Sequence, residues 1–207
     1  MARFLPYLFL ALANLFWAGN WVTGRALRED FGPVAISFWR WAIAVLVVLP
    51  FVWRELLARR ELIRRHWRIL AVLSLLSVVL FQTFVYIGLR STQAINAVLL
   101  NSCIPLFILL AVWLMDGQRP TLRQLAGMAV SFMGIVTIVT RGEPQRLAEL
   151  DFHFGDLWIL AAMPIWAWYS ALLKRKPPEM AGLPLVAVLS LMGLVLLAPA
   201  YALELRY

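Results

Sequence analysis

The chain has 207 residues, of which 63% are hydrophobic and only 14% charged, whereas ordinary soluble domains are about 45–50% apolar and about 25% charged. With apolar runs of about 20 residues, long enough to cross a hydrocarbon core, that balance excludes a soluble globular domain and predicts an all-α polytopic membrane protein. The net charge of +8 sits between the apolar runs, where it orients spans, and forms no solvated basic face of the kind nucleic acid needs. The expected surroundings are therefore a lipid bilayer, with no nucleic acid as partner.

Span 1 is expected from about Phe4 to Thr23. Met1-Ala2-Arg3 and Ala11-Leu12-Ala13 imitate a signal peptide and its cleavage site, but the apolar run continues to Val22, so an uncleaved first span is expected. Wound at about 100° per residue, Asn14, Trp17, Asn20, Trp21 and Gly24 share roughly a third of the circumference. Leu8, Leu12, Leu15, Phe16 and Val22 lie opposite. A helix in lipid gathers amides on one face only where that face meets protein or water.

Span 2 runs from Gly32-Pro33 to about Trp53, and the stretch Arg54 to Arg68 with six arginines reads as a loop. Span 3 follows from Ile69 to Leu89, and span 4 from about Thr92 to Met115. The turn Asp116-Gly117-Gln118-Arg119-Pro120 leads to span 5, about Leu125 to Val139. A mixed-charge loop, Thr140 to Asp156, precedes span 6 at Leu157–Leu173, and span 7 runs from about Leu183 to Ala202. With the N-terminus in the cytoplasm, inside segments hold twelve of the nineteen Lys and Arg and outside segments six, Arg40 alone lying within a span. That two-to-one bias, together with Trp53, Trp67 and Trp113 at the inner ends of their spans, predicts a cytoplasmic N-terminus.

The two ends of the chain resemble each other. Trp17-Ala18 recurs as Trp166-Ala167, 149 positions on, and at that offset Ala13 matches Ala162 and Asn20 matches Tyr169. Spans 2 and 7 both open and close on prolines, Pro33 and Pro50, Pro184 and Pro199. A five-span unit forces its second copy to enter the membrane upside down, and such inverted repeats build secondary transporters with substrate near the midplane. The first repeat is expected over 1–140. Residues 141–207 are expected to hold a linker loop and the first two helices of the second repeat, as in a ten-span protein truncated after its seventh span.

Phe16-Trp17-Ala18-Gly19-Asn20-Trp21 resembles the start of EamA-type proteins of the drug/metabolite transporter superfamily. Phe38-Trp39-Arg40-Trp41-Ala42 resembles that family's arginine-bearing second span. The stretches from Tyr86 to Pro105 and from Gly127 to Gly134, and Gly155-Asp156-Leu157 opening span 6, are similar as well. The resemblance implies ten helices in two inverted five-helix repeats and export of small metabolites or drugs across an inner (plasma) membrane. Gln118 stands where many relatives carry a glutamate.

The expected substrate-binding residues come from five spans. Asn14, Trp17, Asn20 and Trp21 are expected to line a central cavity, with aromatic faces for an apolar or cationic substrate and amides to orient it. Trp166 and Tyr169 present the matching face of span 6. Gln82 and Tyr86 stack one turn apart on span 3. Asn101 lies one turn before Pro105, which cannot donate the helical bond to residue 101, and a broken helix marks a substrate path. Arg40, roughly 10 Å inward from Pro33 at 1.5 Å per residue, is costly in lipid and counts as a candidate on that ground. Gly127, Ser131 and Gly134 form a small-residue seam assigned to helix packing.

No Asp or Glu falls within the seven spans as drawn, so no intramembrane carboxylate is expected to carry a coupling proton. An enzyme is not expected: the only histidines, His66 and His153, lie in loops on opposite sides of the membrane, out of reach of a mid-span nucleophile. The lone Cys103 supports neither a disulfide framework nor a metal site, and no cofactor is expected. The leading expectation is a secondary transporter exporting small molecules by alternating access. The competing one is a non-transporting membrane fragment or a scaffold or regulatory protein.

Overall fold

The computed structural model describes residues 4–143, 145 and 151–206; Arg3 and Arg146, counted in the topology above, lie outside them. The regular elements among the described residues are all helices. They are α1 (Leu5–Ala26), α2 (Pro33–Ala58), α3 (Arg60–Arg65), α4 (Trp67–Ser74), α5 (Phe81–Leu89), α6 (Ala94–Asn101), α7 (Ile104–Asp116), α8 (Leu122–Thr140), α9 (Phe154–Leu172) and α10 (Gly182–Glu204). A π-helical stretch, Leu75–Leu80, joins α4 to α5 in one rod, and a short 3-10 turn, Leu173–Arg175, extends α9.

Six apolar helical segments among the described residues are long enough to cross a membrane: Leu5–Ala26, Pro33–Ala58, Trp67–Leu89, Asn96–Asp116, Phe154–Arg175 and Gly182–Glu204. The fifth expected span is the shorter apolar helix Leu122–Ile138. The protein is a polytopic membrane protein.

Several boundaries shift by a few residues from expectation, and two of the shifts have a clear local cause. The arginine-rich stretch read as a loop is largely helical: α2 continues to Ala58 and α3 follows. Arg, Glu and Leu are strong helix formers, and Arg59 pairs with Glu55 one turn back at 2.6 Å. α9 starts at Phe154, before the expected Leu157, because Asp156 accepts the backbone N–H of His153 at 2.7 Å and closes a capping box. Elsewhere the stops behave as their residues dictate. α7 ends on Gly117 in the left-handed region (φ 69°), open to glycine without strain, and Thr121 and Gln124 cap α8 reciprocally.

α2 lies most extensively against α10, while α5 and α7 lie against α9. One buried cluster joins Phe81, Val85, Tyr86 and Leu89 to Ile159, Ala162 and Met163. A second joins Leu70, Leu73 and Val78 to Leu185, Val188, Leu189 and Leu197. α5 and α9 touch backbone to backbone at Gly88 and Gly155, where a methyl on Gly155 would land 2.7 Å from the Thr92 nitrogen. α1 and α8 are peripheral. α1 reaches the bundle through Gly24, its one buried residue, whose missing side chain leaves room for the Tyr86 ring. The seam on α8 is not a packing seam: nothing lies within 4 Å of a methyl built on Gly127 or Gly134, because α8 contacts little except α6.

Helix starts repeat at a constant spacing. α1 begins at Leu5 and α9 at Phe154, α2 at Pro33 and α10 at Gly182, each pair separated by the offset that matches Trp17 to Trp166. The second pair is the most extensive contact in the molecule.

Candidate functional site

A cavity of about 1060 Å³ opens between α1, α6, α7, α8 and α9. Asn14, Trp17 and Trp21 form its α1 wall, Asn101, Ser102 and Pro105 its wall at the junction of α6 and α7, and Ser131 and Ile135 its α8 wall. Trp166 closes it from α9, and Arg25, Arg28 and Glu29 stand at the end near the α1–α2 turn. Trp17 and Trp166 meet edge to face across it, with ring centroids 5.3 Å apart and planes at 69°. Each lies twelve residues into its helix, so roughly 18 Å deep at 1.5 Å per residue, near the middle of a hydrocarbon core about 30 Å thick. Of the α1 face, Asn14, Trp17 and Trp21 border this cavity.

The α6–α7 wall is a broken helix. Pro105 has no N–H to donate, and α6 stops at Asn101 in a tight turn through Ser102 and Cys103 before α7 begins. Asn101 Oδ1 is buried there without a partner among the described residues. A polar atom in that state is costly unless a guest or water satisfies it.

A second, smaller cavity of about 110 Å³ lies on the far side of Trp166, lined by Trp41, Ser77, Gln82, Tyr169 and Ser190 among others. Trp166 belongs to both walls, and its indole also packs on Phe81 at 4.6 Å and Tyr169 at 4.9 Å.

The ten expected residues divide accordingly. Asn14, Trp17, Trp21, Asn101 and Trp166 line the large cavity; Gln82, Trp166 and Tyr169 line the small one. Asn20, Tyr86 and Arg40 line neither. Asn20 Oδ1 accepts from the Tyr86 hydroxyl at 2.7 Å, so these two side chains occupy each other and tie α1 to α5. Arg40 turns inward instead of reaching for the interface, its guanidinium 4.3 Å from the Trp41 ring centroid, with Nε and Nη2 buried and without a partner among the described residues. Asn14, although on the cavity wall, donates to its own helix at Leu10 O, 2.8 Å away.

Two buried or bridging carboxylates stand outside the ten expected residues: Asp156, expected at the loop's end where span 6 opens, and Glu204, expected just beyond span 7. Asp156 is 4% exposed and accepts from Thr92 Oγ1, from Asn96 Nδ2 at 2.9 Å and from the His153 amide. The neighbouring Thr92 carbonyl accepts from Arg25 Nη1 at 2.6 Å, which ties this cluster to the cavity rim. Glu204, at the end of α10, accepts from the first free amides of α2, Val34 N at 3.0 Å and Ala35 N at 2.6 Å. The spacing His153-x-x-Asp156 was a legible signal for the first; Glu204 carried none.

Indole faces, an unmatched amide and a partly charged rim together suit an amphipathic small molecule. A model of the EamA-like transporter family matches residues 4–140. An uncharacterized transporter of Archaeoglobus fulgidus is 29% identical over 194 residues, covering 93% of this chain and 65% of its own length. The uncharacterized transporter YyaM of Bacillus subtilis is 22% identical over 169 residues, covering 82% and 55%. An uncharacterized transporter of Methanothermobacter thermautotrophicus is 24% identical over 186 residues, covering 84% and 54%. The chain thus spans about half to two thirds of the length of these curated relatives. No solved structure gives a significant match.

Proposed function

The chain belongs to the EamA-like transporter family, and we propose that it exports small metabolites or drugs across the cell's inner membrane by alternating access, with its N-terminus in the cytoplasm. The single observation that carries this reading is the 1060 Å³ cavity in which Trp17 of α1 meets Trp166 of α9. An apolar or cationic guest gains from the faces of Trp17, Trp21 and Trp166. Asn101 Oδ1, without a partner among the described residues, supplies the orienting acceptor. Two inverted repeats, 1–140 and 141–207, account for the constant spacing of helix starts and for the meeting of matched tryptophans, and rocking one repeat against the other opens such a cavity to either side.

The test is efflux from cells or loaded vesicles carrying the full chain, screened over a panel of amphipathic cations, amino acids and drugs. Trp17→Ala removes one aromatic wall and is expected to weaken transport of the substrates it handles by roughly 2- to 10-fold, the worth of one aromatic contact. Trp168→Ala, on the exposed side of α9, is expected to leave transport unchanged. Efflux of every transported compound that is indifferent to Trp17→Ala, Trp21→Ala and Asn101→Ala alike would remove the cavity from the account.

A further inference from the structure

Among the described residues, Trp166 is the one side chain shared by the walls of the two cavities. Its indole makes ring contacts with Trp17 from the large-cavity side and with Phe81 and Tyr169 behind, and it sits at the margin of the buried cluster around Phe81 and Met163. Aromatic contacts of this kind are individually modest. Pro164 lies two residues earlier inside α9, where it deletes the bond to the carbonyl four residues back and loosens the helix. Across the small cavity, Ser77 comes from the π-helical stretch Leu75–Leu80, a departure from α-geometry that recurs at functional sites.

The small cavity is built for hydrogen bonds that the protein does not complete. Gln82 is 8% exposed, and among the described residues neither its Oε1 nor the buried Trp41 Nε1–H has a partner. None of the described residues lining this space is charged. Its 110 Å³ holds about three or four molecules the size of water, at about 30 Å³ each.

We propose that the small cavity is a second binding station and that the Trp166 indole is the gate between it and the large cavity. The station takes a neutral group that donates to Gln82 Oε1 and accepts from Trp41 Nε1, a carboxamide being the simplest. A substrate with such a group passes from one cavity to the other when the indole swings aside. This rests on the transport reading for its purpose, but the geometry is tested without any transported substrate.

The experiment uses the full chain with Cys103→Ser, which leaves no native thiol, in sealed vesicles that present the α1–α2 turn to the reagent. An impermeant methanethiosulfonate is added, and labelling of Ser190→Cys, on the small-cavity wall, is timed against Ser102→Cys, on the large-cavity wall. With Trp166 in place, Ser102→Cys labels readily and Ser190→Cys at least 10-fold more slowly. Trp166→Ala brings Ser190→Cys to within about twofold of Ser102→Cys, and Trp166→Phe gives an intermediate rate. Unaltered labelling of Ser102→Cys reports that each variant has folded; if Trp166→Ala has not, Trp166→Phe carries the test. Acetamide, as the carboxamide probe, slows labelling of Ser190→Cys at least twofold in the Trp166→Ala background, and Gln82→Leu abolishes that protection. Equal labelling of Ser190→Cys with Trp166 intact or replaced overturns the gate. Absence of acetamide protection overturns the station. Either result leaves the efflux assay unaffected, so the two readings fail separately.

Discussion

Gly24 shows how one side chain decides where a helix sits. A methyl there would fall 2.5 Å from the Tyr86 ring and 3.3 Å from Leu89, whereas one on Gly19 meets nothing within 4 Å. Gly24→Ala therefore pushes α1 off α5 and strains the Asn20–Tyr86 bond, at an expected cost of about 1–3 kcal/mol for overpacking. Gly19→Ala, at an open mid-helix site, is expected to gain about 0.5–1 kcal/mol. Thermal unfolding in detergent measures both; a Gly24→Ala protein as stable as its parent would contradict the contact. The angular pattern that placed Asn14, Trp17, Asn20, Trp21 and Gly24 on one face was readable because helical period alone sets it. The split of that face was not. Asn20 met Tyr86 from 66 positions away and was lost to the cavity, and nothing local to Asn20 records such a partner.

At the scale of elements, hydropathy and proline placement carried most of the information. The seven apolar runs became helices, and the break before Pro105 appeared where the missing N–H required it. The π-helical stretch Leu75–Leu80 had no composition signal, since Leu, Ser and Val fit an α-helix equally well; it lies against both α9 and α10. The small-residue seam of α8 misled for the opposite reason: small residues permit close packing but do not compel it. The junction of α2 and α10 gives a sharper test. Glu204 bridges two free amides of α2, favourably placed at a helix N-terminus, and a methyl on Gly32 would collide with its carboxylate. Glu204→Gln is expected to cost about 1–2 kcal/mol, and Gly32→Ala a similar amount by displacing the same carboxylate. Since both act on one contact, the double variant is expected to cost clearly less than their sum. Additive losses in detergent melts would show that Glu204 does not join the helices in this way.

Across the whole molecule, α1 and α2 begin 149 residues before α9 and α10, and the paired tryptophans Trp17 and Trp166 come together at mid-depth. The Trp-Ala pairs and paired prolines suggested a repeat, but not that Trp17 and Trp166 touch, because sequence spacing says nothing of which faces converge. The candidate site was legible in its residue types and only partly in its grouping: one set of polar and aromatic side chains became two cavities with Trp166 between them. The central claim is that the larger cavity carries the substrate. It is tested most directly by plugging it: with Cys103→Ser as background, Ser102→Cys on the cavity wall and Leu122→Cys on the exposed start of α8 are each modified with a bulky maleimide during efflux. Modification at position 102 is expected to cut efflux at least 10-fold while modification at 122 leaves it unchanged. Full efflux with position 102 modified would contradict the account.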